Sequence, residues 1–358
     1  MTRITRHIGK TVLMSMVVMI TLTATVDMVF SLAEQLDDSD ARYTTLHALL
    51  YVLRTTPTSV YELLPFSALG GALIGLGILA SNNELIVIQS AGVHTWRIVW
   101  AAMRPTLLVM LFSLVLGEYI APPLQQLAQS DRALQQSGSD TIGTGIGSWQ
   151  KIGDEFIHVN AIAPGGERLY GISRYRLDGQ RRLVSSSFAE RGDYVRDGDR
   201  TYWRLSNVAE SMLEPTRILT RNYRQVDWAV DLSPQLLSVL LVQPQRQSIS
   251  GLYRFARYFE SEGLEAGSYF LAFWKKLLQP IATAALVLLA ISFVFGPLRE
   301  ATTGFRIFIA ISIGLGFTIG QRLLEPVSLL YGFSPVLAVV MPIMICAVLG
   351  ILLLRRVR

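Results

Sequence analysis

The sequence predicts an α-helical membrane protein with six transmembrane helices, three before and three after an inserted all-β domain. Three observations predict it. Six long apolar runs lie near residues 11–30, 60–80, 105–121, 270–295, 307–321 and 335–354, most of them close to the ~20 residues that cross a bilayer as a helix. The 358-residue chain is 51% hydrophobic and only 16% charged, where a soluble domain carries roughly 25% charge. The polar stretch between the third and fourth runs carries turn signals at short, regular intervals, as all-β sequences do. The predicted division is 1–122 for the first three helices, with a cytoplasmic helix at about 81–97. The β-domain with its flanking linkers and helices takes 123–269, and the last three helices take 270–358.

Lys and Arg near the spans set the orientation. With the N-terminus inside, the inner segments hold ten basic residues: Arg3, Arg6, Lys10, Arg97, Arg104, Arg299, Arg306, Arg355, Arg356 and Arg358. The outer segments hold three: Arg42, Arg54 and Arg322. Both termini are therefore expected in the cytoplasm and the β-domain outside, which in a bacterium is the periplasm. The net charge of +5 gathers at helix ends and forms no basic stripe interleaved with aromatics, so a nucleic-acid partner is not expected.

The first run is too long for a signal-peptide core and no small-residue cleavage site follows, so it reads as a retained span. Asp27 lies near its outer end, and an acidic outer loop follows at 31–58 with Glu34, Asp37, Asp38 and Asp40. The second span starts at Pro65 or slightly before and carries Gly70, Gly71, Gly75 and Gly77. Gly71 and Gly75 make a step of small residues four apart, which lets two helix backbones approach within the chain or against a second chain. Gly316 and Gly320 repeat the step in the fifth span.

Ser81 and Asn82 are candidate caps for a short inner helix, with Glu84 in its first turn as the helix dipole prefers. Leu85, Ile88 and Gln89 share one face, and Gly92 offers a stop. Such a helix either docks a soluble partner or lies passively at the membrane surface. The third span ends near Pro122 and Pro123, followed by a polar helix-like stretch at 124–136 that contains Arg132, and by a Gly/Ser/Thr linker at 138–147. Strands are expected at 155–162, 169–176, 183–191 and 201–208, with further strand to about 230; turns fall at Pro164-Gly165-Gly166, Asp178-Gly179 and Asp197-Gly198. Regular short strands of this kind fit a sandwich, a jelly roll or an open barrel. A helix at 252–262 leads back to the membrane, where Lys275 and Lys276 begin the fourth span.

No catalytic constellation or metal cluster is legible. His7, His47, His94 and His158 are scattered, and there is no HExxH, CxxC or GxSxG. Glu118 and Asp27 are the intramembrane acids that might tempt an enzyme reading, and both sit near the outer interface. Gly9-Lys10-Thr11 looks like the end of a phosphate-binding loop, but Ile4 stands where its first glycine belongs. Cys346 is the single cysteine, so no intrachain disulfide supports the outer domain. With no acid–base pair or metal cluster visible, an enzyme is not expected and a membrane enzyme is the weakest of the readings; any ATP used must be bound by another chain.

Several stretches together resemble a known family. They are Ile8-Gly9-Lys10-Thr11, Ala72-Leu73-Ile74-Gly75-Leu76-Gly77, Ser90-Ala91-Gly92 and Gly117-Glu118-Tyr119-Ile120-Ala121-Pro122. Ser248-Ile249-Ser250-Gly251-Leu252 and the run from Ile291 to Arg299 strengthen the match. In this order and at these places relative to the spans, the chain resembles the lipopolysaccharide export permeases of the LptF/LptG family, most of all the G-type subunit.

The resemblance implies that the β-domain is a β-jelly roll and that this subunit pairs with an F-type permease subunit. It implies a cytoplasmic ATPase dimer that binds ATP and Mg, a single-span regulatory partner and a periplasmic bridge of jelly rolls. Lipopolysaccharide would be extracted from the inner membrane and passed to that bridge. Glu84, with Leu85, Ile88 and Gln89, matches the helix that engages the ATPase. Leu64 matches an apolar cavity-lining position, and Arg132 and Lys275 are candidates to meet lipid phosphates. Gly316 and Gly320 are candidates for packing against the F-type subunit. One departure stands out: Ser31, Asp37 and Asp38 occupy positions where G-type relatives can carry a basic cluster. The competing readings are an F-type subunit, a permease for another lipid or lipoprotein, and a membrane-anchored sensor of a periplasmic ligand.

Overall fold

The computed structural model describes residues 2–37, 44–136, 148–152, 155–163, 166–180, 182–197, 200–213, 217–230, 244–261, 266–296 and 301–356. The expected linker at 138–147, Pro164, Gly165, Gly198, Asp38, Asp40, Arg42, Arg299 and Arg358 lie outside them. The chain divides into two units. One comprises Met1–Phe30, Thr56–Ala121 and Ser248–Arg358; the other comprises Ser31–Thr55 and Pro122–Gln247.

Helices run well past the apolar stretches. They are α1 (Thr2–Asp37), α2 (Thr45–Ser81), α3 (Glu84–Ser90), α4 (Thr95–Val115), α5 (Ala121–Gln136), α6 (Ile249–Ser261), α7 (Gly267–Phe295), α8 (Thr303–Tyr331) and α9 (Pro335–Arg356). Among the described residues, six helical stretches are long and apolar enough to cross a membrane: α1, α2, the run from α4 into α5, α7, α8 and α9. The acidic loop expected at 31–58 is largely helix, since α1 continues to Asp37 and α2 already begins at Thr45. Pro57 and Pro65 lie inside α2, so the start placed at Pro65 is corrected; neighbouring helices let a span absorb the hydrogen bonds a proline removes. The break expected at Pro122 and Pro123 is also absent. A π-turn (Leu116–Ile120) joins α4 to α5. Such a turn leaves carbonyls without their usual partner, and the prolines just beyond supply no N–H to miss one.

The helical unit is knit by small residues. Ile8, Val12 and Met16, four apart on α1, are buried, and α2 offers them glycines. A Cβ on Gly71 would overlap the Met16 backbone, and one on Gly75 would lie 3.0 Å from Val12 Cα. The glycine step of α2 therefore packs within the chain. Thr23 and Ser67 share a hydroxyl hydrogen bond of 2.7 Å between the same helices. α7 is apolar all round and central to the core cluster. α9 crosses it at Gly350, where a Cβ would come within 3.3 Å of the Leu289 backbone. Lipid is as apolar as leucine, so close backbone approach of this kind, not apolar burial, drives such packing.

The second unit holds a six-stranded antiparallel sheet in chain order: β1 (Ser148–Ile152), β2 (Glu155–Ile162), β3 (Arg168–Leu177), β4 (Leu183–Asp197), β5 (Arg200–Leu213) and β6 (Ile218–Trp228). Each described strand pairs with its chain neighbours. β2 matches its expected span, while β4 and β5 run several residues longer. β1 abuts the predicted linker and was not expected; its polar SWQKI sequence becomes a strand by pairing with β2, Trp149 opposite His158. One face is buried, with Ile157, Leu169, Ile172, Trp203, Leu205 and Trp228 in its core. Gly171 has a φ of +60°, and a Cβ there would overlap the Asn160 amide, so only glycine fits this bend in β3.

Candidate functional site

The corner between α2 and α3 is built from backbone freedom rather than the expected caps. Asn83 adopts a left-handed φ of 60° and makes no side-chain cap, a conformation asparagine tolerates better than most residues. Ser81 Oγ instead donates to the Ile78 carbonyl. Glu84 then opens α3, and Gly92, with φ +81°, ends the turn beyond it.

Glu84 is partly exposed, and its Oε2 lies 2.9 Å from Nε2 of His7 on α1. Leu85 and Ile88, expected to dock a partner, are buried in the core of the chain itself. The apolar face of α3 is the face that seats it on the bundle, so shared periodicity selected the inner side. Gln89 is half-buried. The outward side carries Ile86 and Val87, 43% and 63% exposed, and α4 adds exposed Trp96. No residue pattern singled these out.

One further charge belongs to this corner. Arg306 of α8 is almost fully buried, and its Nη1 donates to the Gly77 carbonyl at 2.7 Å. Gly77 lies in the last turn of α2, the negative end of the helix dipole, where a cation is favoured. A Cβ on Gly77 would sit 2.6 Å from Arg306 Nη1. The signal in the sequence was a lone arginine beside an apolar run, read only as a marker of orientation.

Near the middle of α2, Leu64 is wholly enclosed in the core cluster. It lines no open cavity in this chain, because α2 turns that face toward the other helices. Lys275 is ion-paired with Glu325 of α8 at 2.5 Å. Tyr61 packs against Gly117, and its ring lies beneath the Lys276 ammonium, 5.8 Å from the centroid. Glu118 has a structural role that the sequence concealed: it accepts from the Ile249 N–H at 2.7 Å and from Ser250 Oγ at 2.5 Å. A carboxylate from the π-turn thus caps the first turn of α6. Beside it lies an open, mainly apolar groove of about 520 Å³ lined by Leu114, Val115, Tyr119, Tyr253 and Phe273. In the second unit, Arg132 stacks over Tyr51, 5.3 Å from the ring centroid, while its neighbour Asp131 pairs with Arg54. Gly316 and Gly320 on α8 face open space.

The family model described as lipopolysaccharide export system permease LptF/LptG matches residues 6–356. The chain is 34% identical over 339 residues to the lipopolysaccharide export system permease protein LptG of Escherichia coli K12, covering 94% of this chain and 93% of that one. It is 31% identical over 354 residues to LptG of Haemophilus influenzae, covering 99% and 98%. With six candidate spans and an antiparallel sheet in the order described, this chain belongs to the LptF/LptG family of lipopolysaccharide export system permeases.

Proposed function

We propose that this chain is the G-type permease subunit of an ATP-driven exporter that extracts lipopolysaccharide from the inner membrane and passes it to a periplasmic bridge. The observation that carries the reading is the similarity to LptG proteins along nearly the whole chain. Both termini lie in the cytoplasm on the evidence of the basic residues. The β-unit, inserted between three spans and three, belongs to the periplasm as a jelly roll that joins the bridge. The partners are an F-type permease subunit, an ATPase dimer that binds ATP and Mg, and a single-span regulator.

The physics of the cargo suits lateral entry between helices. Lipid burial is worth ~0.8 kcal/mol per methylene, so an acyl chain with on the order of ten methylenes costs roughly 8 kcal/mol to expose to water. Leu64, enclosed in the single chain, meets lipid only when the spans around it part. A lipid phosphate at Lys275 must share that ammonium with Glu325, and one at Arg132 meets a guanidinium already stacked on Tyr51. The open strip at Gly316 and Gly320 receives the first span of the F-type subunit; an intact complex carrying Gly316→Leu argues against that contact.

On the cytoplasmic side, Glu84 offers a charged hydrogen bond to a basic residue of the ATPase, flanked by the exposed Ile86 and Val87. Affinity purification of the chain in mild detergent, wild type beside Glu84→Ala, tests the whole reading. Co-purified ATPase and bound lipopolysaccharide, with assembly or activity impaired by Glu84→Ala, support it. A chain that brings down neither overturns it and favours a ligand sensor.

A further inference from the structure

The two spans with the least packing inside the chain are both fastened to the α2–α3 corner. In the most apolar stretches of α1 and of α8, only 11% of residues are buried, against 72% for α2. On α8 the buried residues Arg306, Ala310 and Gly314 stand four apart on one stripe. The stripe faces α2: Arg306 donates to the Gly77 carbonyl, and a Cβ on Gly314 would overlap the Phe66 ring. The remaining faces of α8 are largely open. On α1, His7 reaches Glu84. Gly77 and Glu84 lie on either side of the corner, so the end of α2 is held by the fifth span and the start of α3 by the first.

An arginine is costly to enclose among apolar helices unless its N–H groups are satisfied. Small apolar residues packed on α2 would be cheaper if seating α8 were all that was required. What arginine adds is a charged hydrogen bond to a main-chain carbonyl, which moves with the α2 backbone rather than with a side chain.

We propose that Arg306 and His7 are positioning residues that carry movement of α3 into the fifth and first spans, with Arg306 the principal link. This rests on the reading above that α3 receives the ATPase. Displacement of α3 shifts the last turn of α2, the Gly77 carbonyl draws Arg306 with it, and α8 follows at that end, while the Lys275–Glu325 ion pair holds it at the other. His7 does the same for α1 through a more exposed, weaker contact.

The test uses the full complex in proteoliposomes. It reads ATPase co-purification, ATP hydrolysis, lipopolysaccharide delivered per ATP and thermal stability. Arg306→Met removes the donor and keeps the bulk; Gly77→Ala places a methyl against the guanidinium. Both are expected to retain the ATPase and to lower lipopolysaccharide delivered per ATP roughly tenfold, the size of one lost charged hydrogen bond. Arg306→Lys is expected to rescue Gly77→Ala, because the shorter head makes room for the methyl and still donates. His7→Ala is expected to cost only about two- to threefold, with His7→Arg restoring it.

Unchanged delivery per ATP in Arg306→Met overturns the proposal, as does a loss that merely tracks falling thermal stability. If Arg306→Met does not assemble, Gly77→Ala and its rescue decide: rescue supports the link, and a defect that Arg306→Lys leaves unrelieved overturns it. Glu84→Ala separates the two readings. Full ATPase retention with normal delivery in Glu84→Ala defeats the docking assignment itself. ATPase lost in Glu84→Ala, with Arg306→Met fully coupled, defeats the link alone.

Discussion

The helical unit and the β-unit solve the same packing problem with opposite materials. In the helical unit the tightest contacts are made where side chains are missing, at Gly71, Gly75, Gly117, Gly314 and Gly350. Two of its charges are spent on backbone groups, Arg306 on a carbonyl and Glu118 on N–H groups. In the β-unit the centre is filled by the largest side chain available, Trp203. Charges there pair with one another: Glu155 with Arg174 and Arg176, Asp193 with Arg168 and Arg191, Arg204 with Asp227. The surroundings explain the contrast. Lipid offers helices no apolar driving force, so proximity and satisfied backbone decide. Water rewards burial of a large aromatic, and charges drawn partly out of it, such as Glu155 and Arg174, are met by opposite charges.

Substitutions that exchange the two materials test this contrast. The largest effect is expected from Gly71→Leu, which puts a branched side chain where the Met16 backbone already lies. α1 cannot seat on α2, and the yield of monodisperse protein after detergent extraction should collapse. A normal yield would mean that the close approach of α1 and α2 is dispensable. Next comes Trp203→Ala, expected to cost the β-unit about 3–5 kcal/mol, read from its denaturant midpoint in the full chain. A cost below about 1 kcal/mol would show that the sheet does not depend on its aromatic centre.

A smaller effect is expected from acid. Burial pushes the Glu155 pKa up, but the hydrogen bonds from Arg176 and Arg174 outweigh it and hold the carboxyl below its ordinary range. Asp193 is lowered against burial in the same way, by Arg191 and Arg168. A folded-state pKa below the unfolded one gives stability that is complete above the ordinary carboxylate value, about 4, and is lost as pH falls through the lowered value. The thermal midpoint of the β-unit should therefore drop below about pH 4, and Glu155→Gln should flatten that limb. The smallest effect belongs to His158, whose pKa burial lowers beside Trp149, 4.8 Å between ring centroids. Protonation opposes its burial, so His158→Gln should remove a shallow loss of stability that begins below about pH 6.5.

The sequence made the helices legible as apolar runs but not their ends, because bilayer thickness governs hydropathy while capping and packing govern where a helix stops. Hence α1 and α2 run on into the acidic stretch that was read as loop. The strands were legible wherever a turn residue bounded them; β1 lacked both the turn and the apolar alternation, and only its neighbour makes it a strand. Glu84 was legible from helix-dipole logic. The orientation of α3 was not, since the same apolar residues serve a partner or the chain itself, and Leu85 and Ile88 turned inward. Arg306 and Glu118 were visible as charges next to spans, but their partners lie 229 and 131 residues away in the chain, a distance no local pattern reports.

The order of the strands has a consequence for how the chain is made. Each described strand pairs only with the one before and the one after it, so the sheet needs no segment synthesised later than β6. A topology of neighbouring contacts closes short loops and forms quickly. The described sheet can therefore be complete before α7, α8 and α9 leave the ribosome. A circular permutation that moved β1 to the far end of the chain would remove that advantage while leaving every strand pair in place.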